Sequence, residues 1–211
     1  ETGVVTLPTG TGVPLAAGAH TALAIMFDAD QLAPGSRIVA HLGWTPSNTA
    51  PRPLDVVAVG LEVNWVAGES AAYDLPAGMS SRTAEFTMPL GGRALAIGGH
   101  LHEYGIELRL NDLDSGKLIF SLRPTRGPSG ELRMPTRLFA VRGSGKKLTA
   151  GRRYRLTVTY DNTSGELIPS GGMGVLAMLF APDHPDAWPQ IDGRDEGVNR
   201  DLAVQWTRLI R

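Results

Sequence analysis

The amino-acid sequence predicts an all-β protein, an antiparallel β-sandwich of jelly-roll type. Three observations carry this. Several segments alternate apolar and polar residues with period two. Turn-forming clusters recur between them. No segment carries a convincing long amphipathic helix. Taken in order, Thr21 to Phe27 is a continuous apolar run and reads as a central strand. The stretch 45–54, Thr-Pro-Ser-Asn-Thr-Ala-Pro-Arg-Pro-Leu, reads as a long surface loop. Val57, Val59, Leu61, Val63 and Trp65 alternate, as do Ile106, Leu108 and Leu110, and then Tyr154, Leu156, Val158 and Tyr160. One apolar face per strand is what a half-buried antiparallel strand requires. Val175 to Phe180 is a second apolar run and reads as another central strand. Turns are expected at Ala33-Pro34-Gly35, Pro76-Ala77-Gly78, Asp114-Ser115-Gly116, Gly127-Pro128-Ser129-Gly130 and Thr163-Ser164-Gly165. Their frequent recurrence is the signature of a sandwich or jelly roll. The tail from Gly193 to Arg211 is the best candidate for a helix, with Asn199, Asp201 and Trp206 marking a short turn.

Composition narrows the function classes. The chain has 211 residues, with 42% hydrophobic and 19% charged, which suits one sandwich domain over 1–211. Within it the expected core is about 55–182, preceded by N-terminal strands in 4–54 and followed by a tail, 183–211. The 26 Gly and 15 Pro are dispersed, which indicates turns rather than disorder. A formal net charge of −1 leaves no basic footprint for nucleic acid. Arg152 and Arg153 read as solvated strand ends. No Cys is present, which excludes disulfides and Cys-type zinc sites. No apolar run is long enough for a membrane-spanning helix. The chain begins at Glu1-Thr2-Gly3 without an initiator Met, and is expected to be a mature or engineered fragment.

The chemistry centres on His100-Leu101-His102, within Gly98-Gly99-His100-Leu101-His102-Glu103-Tyr104-Gly105. On a strand, residues i and i+2 share a face, so the imidazoles emerge side by side with a bite suited to one metal ion. The flanking glycines allow a bulge or close approach at a sheet rim. A third ligand must come from elsewhere: His20, His41, His184, Glu103, Glu107 and the methionines are candidates. Met173 stands out because it lies in Pro169-Ser170-Gly171-Gly172-Met173-Gly174, at the entrance to the strand Val175 to Phe180, whereas a core Met such as Met178 lies inside an apolar run. Two imidazoles and a soft thioether suit copper in both oxidation states. Glu103 and Tyr104 are the candidates for supporting the metal-bound imidazoles. Asn162-Thr163-Ser164 reads as a turn rather than a glycosylation site.

These residues resemble the type 2 copper, ascorbate-dependent monooxygenases, the peptidylglycine α-hydroxylating and dopamine β-monooxygenases. Their catalytic domain carries a His-x-His followed roughly 70 residues later by a Met after a Gly-rich loop. Here His100-Leu101-His102 matches the first element, and Gly171-Gly172-Met173, following Tyr160-Asp161-Asn162-Thr163, matches the second. The resemblance covers about residues 55–182. It implies a jelly-roll-like sandwich with one copper ion on one sheet, held by His100, His102 and Met173, and a place outside the cytoplasm, secreted or periplasmic. It also implies O2, ascorbate or another reductant, and a small-molecule substrate as partners if the chain is an enzyme.

The departures from that family redirect the reading. The family's second, electron-transfer copper has no counterpart: its nearest equivalent here is Leu23-Ala24-Ile25-Met26-Phe27, with Met26 in the ligand place, and the chain has no His-His pair. The peptide-anchoring Arg, Asn and Tyr are replaced by Gly98, Val175 and Ala177, so peptide amidation is not expected. The expectation is therefore an extracytoplasmic mononuclear copper-binding protein that carries, stores or senses copper or delivers it to a partner. The alternative is a one-copper monooxygenase hydroxylating a small substrate with O2 and an external reductant. A cupin-like site using Glu107, a zinc hydrolase and an interaction module without a working metal site are further alternatives. A deep pocket beside Met173 would favour the enzyme; a flat, exposed site would favour delivery.

Overall fold

The computed structural model describes residues 7–15, 35, 37, 39, 41, 43–46, 48, 51, 53–128, 130–139, 145–189 and 192–209. In chain order the strands are β1 (Thr11–Gly12), β2 (Leu54–Asp55), β3 (Val57–Glu62), β4 (Tyr73–Leu75), β5 (Gly78–Thr87), β6 (Gly92–Leu101), β7 (Gly105–Asp112), β8 (Leu118–Leu122), β9 (Thr125–Arg126), β10 (Leu132–Arg133), β11 (Arg137–Leu138), β12 (Lys146–Leu148), β13 (Arg153–Asn162), β14 (Ile168–Gly172) and β15 (Gly174–Pro182), followed by helix α1 (Glu196–Leu209). The expected strand at Thr21 to Phe27, with Met26, and the candidate ligand His20 lie outside the described residues.

Two antiparallel sheets form the sandwich. One has the order β11-β6-β15-β3, with β12 also pairing β6; the other has the order β5-β13-β7-β8. Along the chain, β3, β5, β6, β7, β8, β11, β13 and β15 change sheet at every step except between β7 and β8. That path is a jelly roll. Every neighbouring pair within the two sheets is antiparallel.

The sequence alternation explains the core. Tyr154, Leu156, Val158 and Tyr160 all point inward from β13 and are at most 1% exposed. They meet Leu108 and Leu110 from β7, and Ile97, Leu176, Met178 and Phe180 from the opposite sheet, in one apolar cluster. The run Val175 to Phe180 lies in β15, at the centre of its sheet, as expected.

Four expectations are corrected. Ile106 is exposed, because a bulge pairs Tyr160 with Gly105 but Thr159 with Glu107 and leaves Ile106 as the extra residue. Trp65 is also exposed, because β3 ends at Glu62 and the alternation no longer follows a strand. The tail forms a helix of 14 residues rather than a short turn. Its N-terminus is capped by Asp195, whose carboxylate accepts the Val198 N–H at 3.0 Å while its carbonyl accepts that of Asn199. Arg152 is more than a solvated strand end, since its guanidinium pairs at 2.6 Å with the buried carboxylate of Asp112.

Candidate metal centre

His100 is the penultimate residue of β6, and His102 lies just beyond its end. The pair therefore closes β6 and lies just before β7, which starts at Gly105. The reason is a tight turn: the Gly105 N–H donates to the His102 carbonyl at 3.1 Å, with Tyr104 in the left-handed region at φ 69°. On β6, Ile97 and Leu101 face the core, so His100 projects from the outer face.

Met173 arrives at the same place from β15. The ladder sets His100 opposite Val175 and ends with Leu101 opposite Gly174, so His102 and Met173 are the next residues of the two chains beyond the last pair. The three glycines around Met173 are required by packing. A Cβ on Gly171 would meet Ile168, one on Gly172 would collide with the Tyr73 ring, and one on Gly174 with Val158. Only position 173 has room for a side chain, and it is half-buried.

The two imidazoles lie edge to face beside each other. Their ring centroids lie 5.2 Å apart and their planes are at 87°. Two imidazoles bound to one ion through bonds of about 2.0 Å have centroids roughly 5 Å apart at a near-tetrahedral angle. Nδ1 of His102 lies 3.2 Å from the Ser170 carbonyl. A carbonyl only accepts, so this nitrogen carries the proton, and in the neutral ring Nε2 keeps its lone pair for a metal. Ser170 is itself fixed, in the left-handed region at φ 52°, with its N–H donated to the Asp74 carboxylate at 2.9 Å. Partial desolvation, and then repulsion from His102, hold the His100 pKa below the ordinary imidazole value, which favours the neutral, metal-competent form.

Tyr160 joins the two arms. Its hydroxyl accepts the His102 N–H at 3.0 Å and the Met173 N–H at 3.0 Å, and donates to the Met173 carbonyl in a short bond. Sequence reasoning named Tyr160 only as a core residue and passed over Ser170. A main-chain carbonyl has no sequence signature, and a hydroxyl reaching from the opposite sheet has no fixed spacing.

The remaining candidates are placed elsewhere or engaged. The Glu103 carboxylate pairs with Arg126. Tyr104 packs its ring against the core cluster, and its carbonyl accepts the Asp161 N–H at 2.9 Å. Glu107 lies on β7 in the other sheet, where it accepts the Ser121 hydroxyl at 2.7 Å, so the cupin-like set is not assembled. His184 precedes the short turn Pro185–Ala187, and His41 is exposed in irregular chain. Asn162 is 1% exposed, and its amide donates to the Leu75, Pro76 and Glu166 carbonyls, so its segment is the expected turn. Among the described residues, no three His, Cys, Asp or Glu are grouped to hold a metal.

Beside His100, the next row across the outer face is Gly98, Ala177 and Gly60. These small residues make that surface flat and open among the described residues. No family model and no curated protein matches the chain. Solved structures similar to it include the virus-like particle of extra small virus from the giant freshwater prawn Macrobrachium rosenbergii, at 11% identity over 71% of this chain and 93% of that one, with a TM-score of 0.26. Infectious bursal disease virus, Gx strain, is similar at 10% identity over 81% of this chain and 53% of that one, with a TM-score of 0.20. Neither superposition is close enough to bear on function.

Proposed function

We propose that this chain is a mononuclear copper-binding protein that acts outside the cytoplasm, with His100, His102 and Met173 as its metal ligands. One observation carries the reading. The perpendicular imidazoles, 5.2 Å apart, stand together at the end of β6, with the His102 Nδ1 proton committed to Ser170 and Met173 the residue just before the facing strand β15. Two imidazoles accept either copper oxidation state, and a thioether favours Cu(I). The order His-x-His, then Gly-Gly-Met, is also that of the catalytic domain of the ascorbate-dependent monooxygenases. The flat row Gly98, Ala177 and Gly60 supports exchange of the ion with a partner over enclosure of a substrate.

Competition titration against chelators for Cu(I) and for Cu(II) tests the proposal. One equivalent of each is expected to bind wild-type protein, and His100→Ala and His102→Ala are expected to abolish tight binding with the fold retained. Wild-type affinity in either His variant would mean that the ligands are misassigned. Continuous oxygen consumption with ascorbate would instead move the assignment to a one-copper oxygenase.

A further inference from the structure

We propose that Tyr160 is a positioning residue that fixes the Met173 thioether relative to His102, and so sets the preference of the site for Cu(I). This rests on the copper reading above. The β6–β15 ladder runs as far as Leu101 opposite Gly174, one residue short of both His102 and Met173. Beyond that point the two residues are tied through a single atom, the Tyr160 hydroxyl, which comes from β13 in the opposite sheet. That hydroxyl uses its proton on the Met173 carbonyl and its lone pairs on the two amides, so its bonding capacity is filled. The ring is held rigidly. Tyr160 is 0% exposed and meets the edge of Tyr73 at 6.4 Å and 84°. The far side of this arrangement is closed by the Arg82 guanidinium, 4.5 Å from the Tyr73 ring centroid. The soft ligand on a flexible side chain therefore springs from a main chain that cannot drift from the His102 main chain. Loss of the hydroxyl frees Met173 more than it frees the imidazoles, because His102 keeps its own bond to Ser170.

The test is Tyr160→Phe, which preserves the ring and removes only the hydroxyl. In the metal-free variant, amide hydrogen exchange at His102 and Met173 is expected to accelerate, while core amides in β13 stay protected. Cu(I) affinity is expected to fall about tenfold or more, the usual cost of losing a supporting contact, with Cu(II) affinity changed much less. Tyr73→Phe, which removes a neighbouring hydroxyl that has no partner within the described structure, is the control and is expected to leave both affinities unchanged. Unchanged exchange and unchanged affinities in Tyr160→Phe would overturn the role of Tyr160 and leave the copper reading standing. Equal losses for Cu(I) and Cu(II) would also overturn it, as the mark of a merely structural residue. A wild-type protein that binds neither ion would overturn both. If Tyr160→Phe does not fold, wild-type exchange decides: fast exchange at His102 and Met173 overturns the inference.

Discussion

At the scale of single residues, the candidate site depends on what surrounds each ligand. His102 is oriented by a carbonyl, and Met173 is flanked by three positions where any side chain would clash. Met173→Ala is expected to weaken Cu(I) binding by at least about tenfold while Cu(II) binding changes little, since the soft ligand matters most for the reduced ion. Chelator competition in each oxidation state checks this, and equal losses would count against Met173. Gly174→Ala is expected to destabilise the fold by about 1–3 kcal/mol, because its Cβ would strike Val158 and Val63 in the core. Denaturant unfolding measures that change. The His-x-His pair and the glycine-set Met were legible in the sequence as residue types in a pattern. Ser170 and Tyr160 were not, because Ser170 offers its main-chain carbonyl to the His102 imidazole 68 positions away and Tyr160 its hydroxyl to the His102 N–H 58 positions away, and such contacts follow from the sheet register alone.

At the scale of elements, the sequence was most informative where a residue type meets a strict backbone demand. Gly116 and Gly165 sit in the left-handed region at φ 70° and 81°, in two of the turns expected from composition. It was least informative where pairing decides. Nothing in Ile106-Glu107-Leu108 announces a bulge, and Trp65 continues an apolar alternation after its strand has ended. Helix α1 was underestimated because its capping residue, Asp195, was overlooked. The β7–β8 hairpin depends on a buried carboxylate. Asp112 accepts the N–H groups of Asp114 and Ser115 at 2.9 and 3.1 Å and pairs with Arg152. Burial raises its pKa, and hydrogen bonds from Ser115, Arg152 and Asp114 together outweigh that and hold it below the ordinary carboxylate value. The folded state thus binds its proton less readily than the unfolded chain. The resulting stability is present above the unfolded pKa of about 3.9 and is lost as the pH falls through the folded value. Asp112→Asn keeps the turn acceptor and removes the charge. It is expected to cost about 1–2 kcal/mol at neutral pH, with the gap to wild type closing on acidification. Urea unfolding along a pH series checks both the size and the sign.

At the scale of the whole molecule, period-two alternation and regularly spaced turns were sufficient for the all-β class and for the sandwich. The jelly-roll order itself is a matter of which strand crosses to which sheet, and the apolar faces of β6 and β13 alone do not specify it. This architecture brings the end of β6 and the start of β15 together at one rim and sends β13 beneath them from the other sheet. The site and the core are therefore one mechanical unit. Copper that binds only the folded state is expected to raise its stability by about 2.7 kcal/mol when free copper is a hundredfold above Kd, and His102→Ala is expected to cancel that gain. Thermal unfolding with and without copper reads it.

The most direct test of the central claim is titration of metal-free protein with Cu(II) followed by EPR. The account predicts one equivalent bound with a type 2 spectrum that disappears on reduction and is lost in the His100→Ala and His102→Ala variants. Absence of any stoichiometric binding, or an unchanged spectrum in those variants, would contradict it.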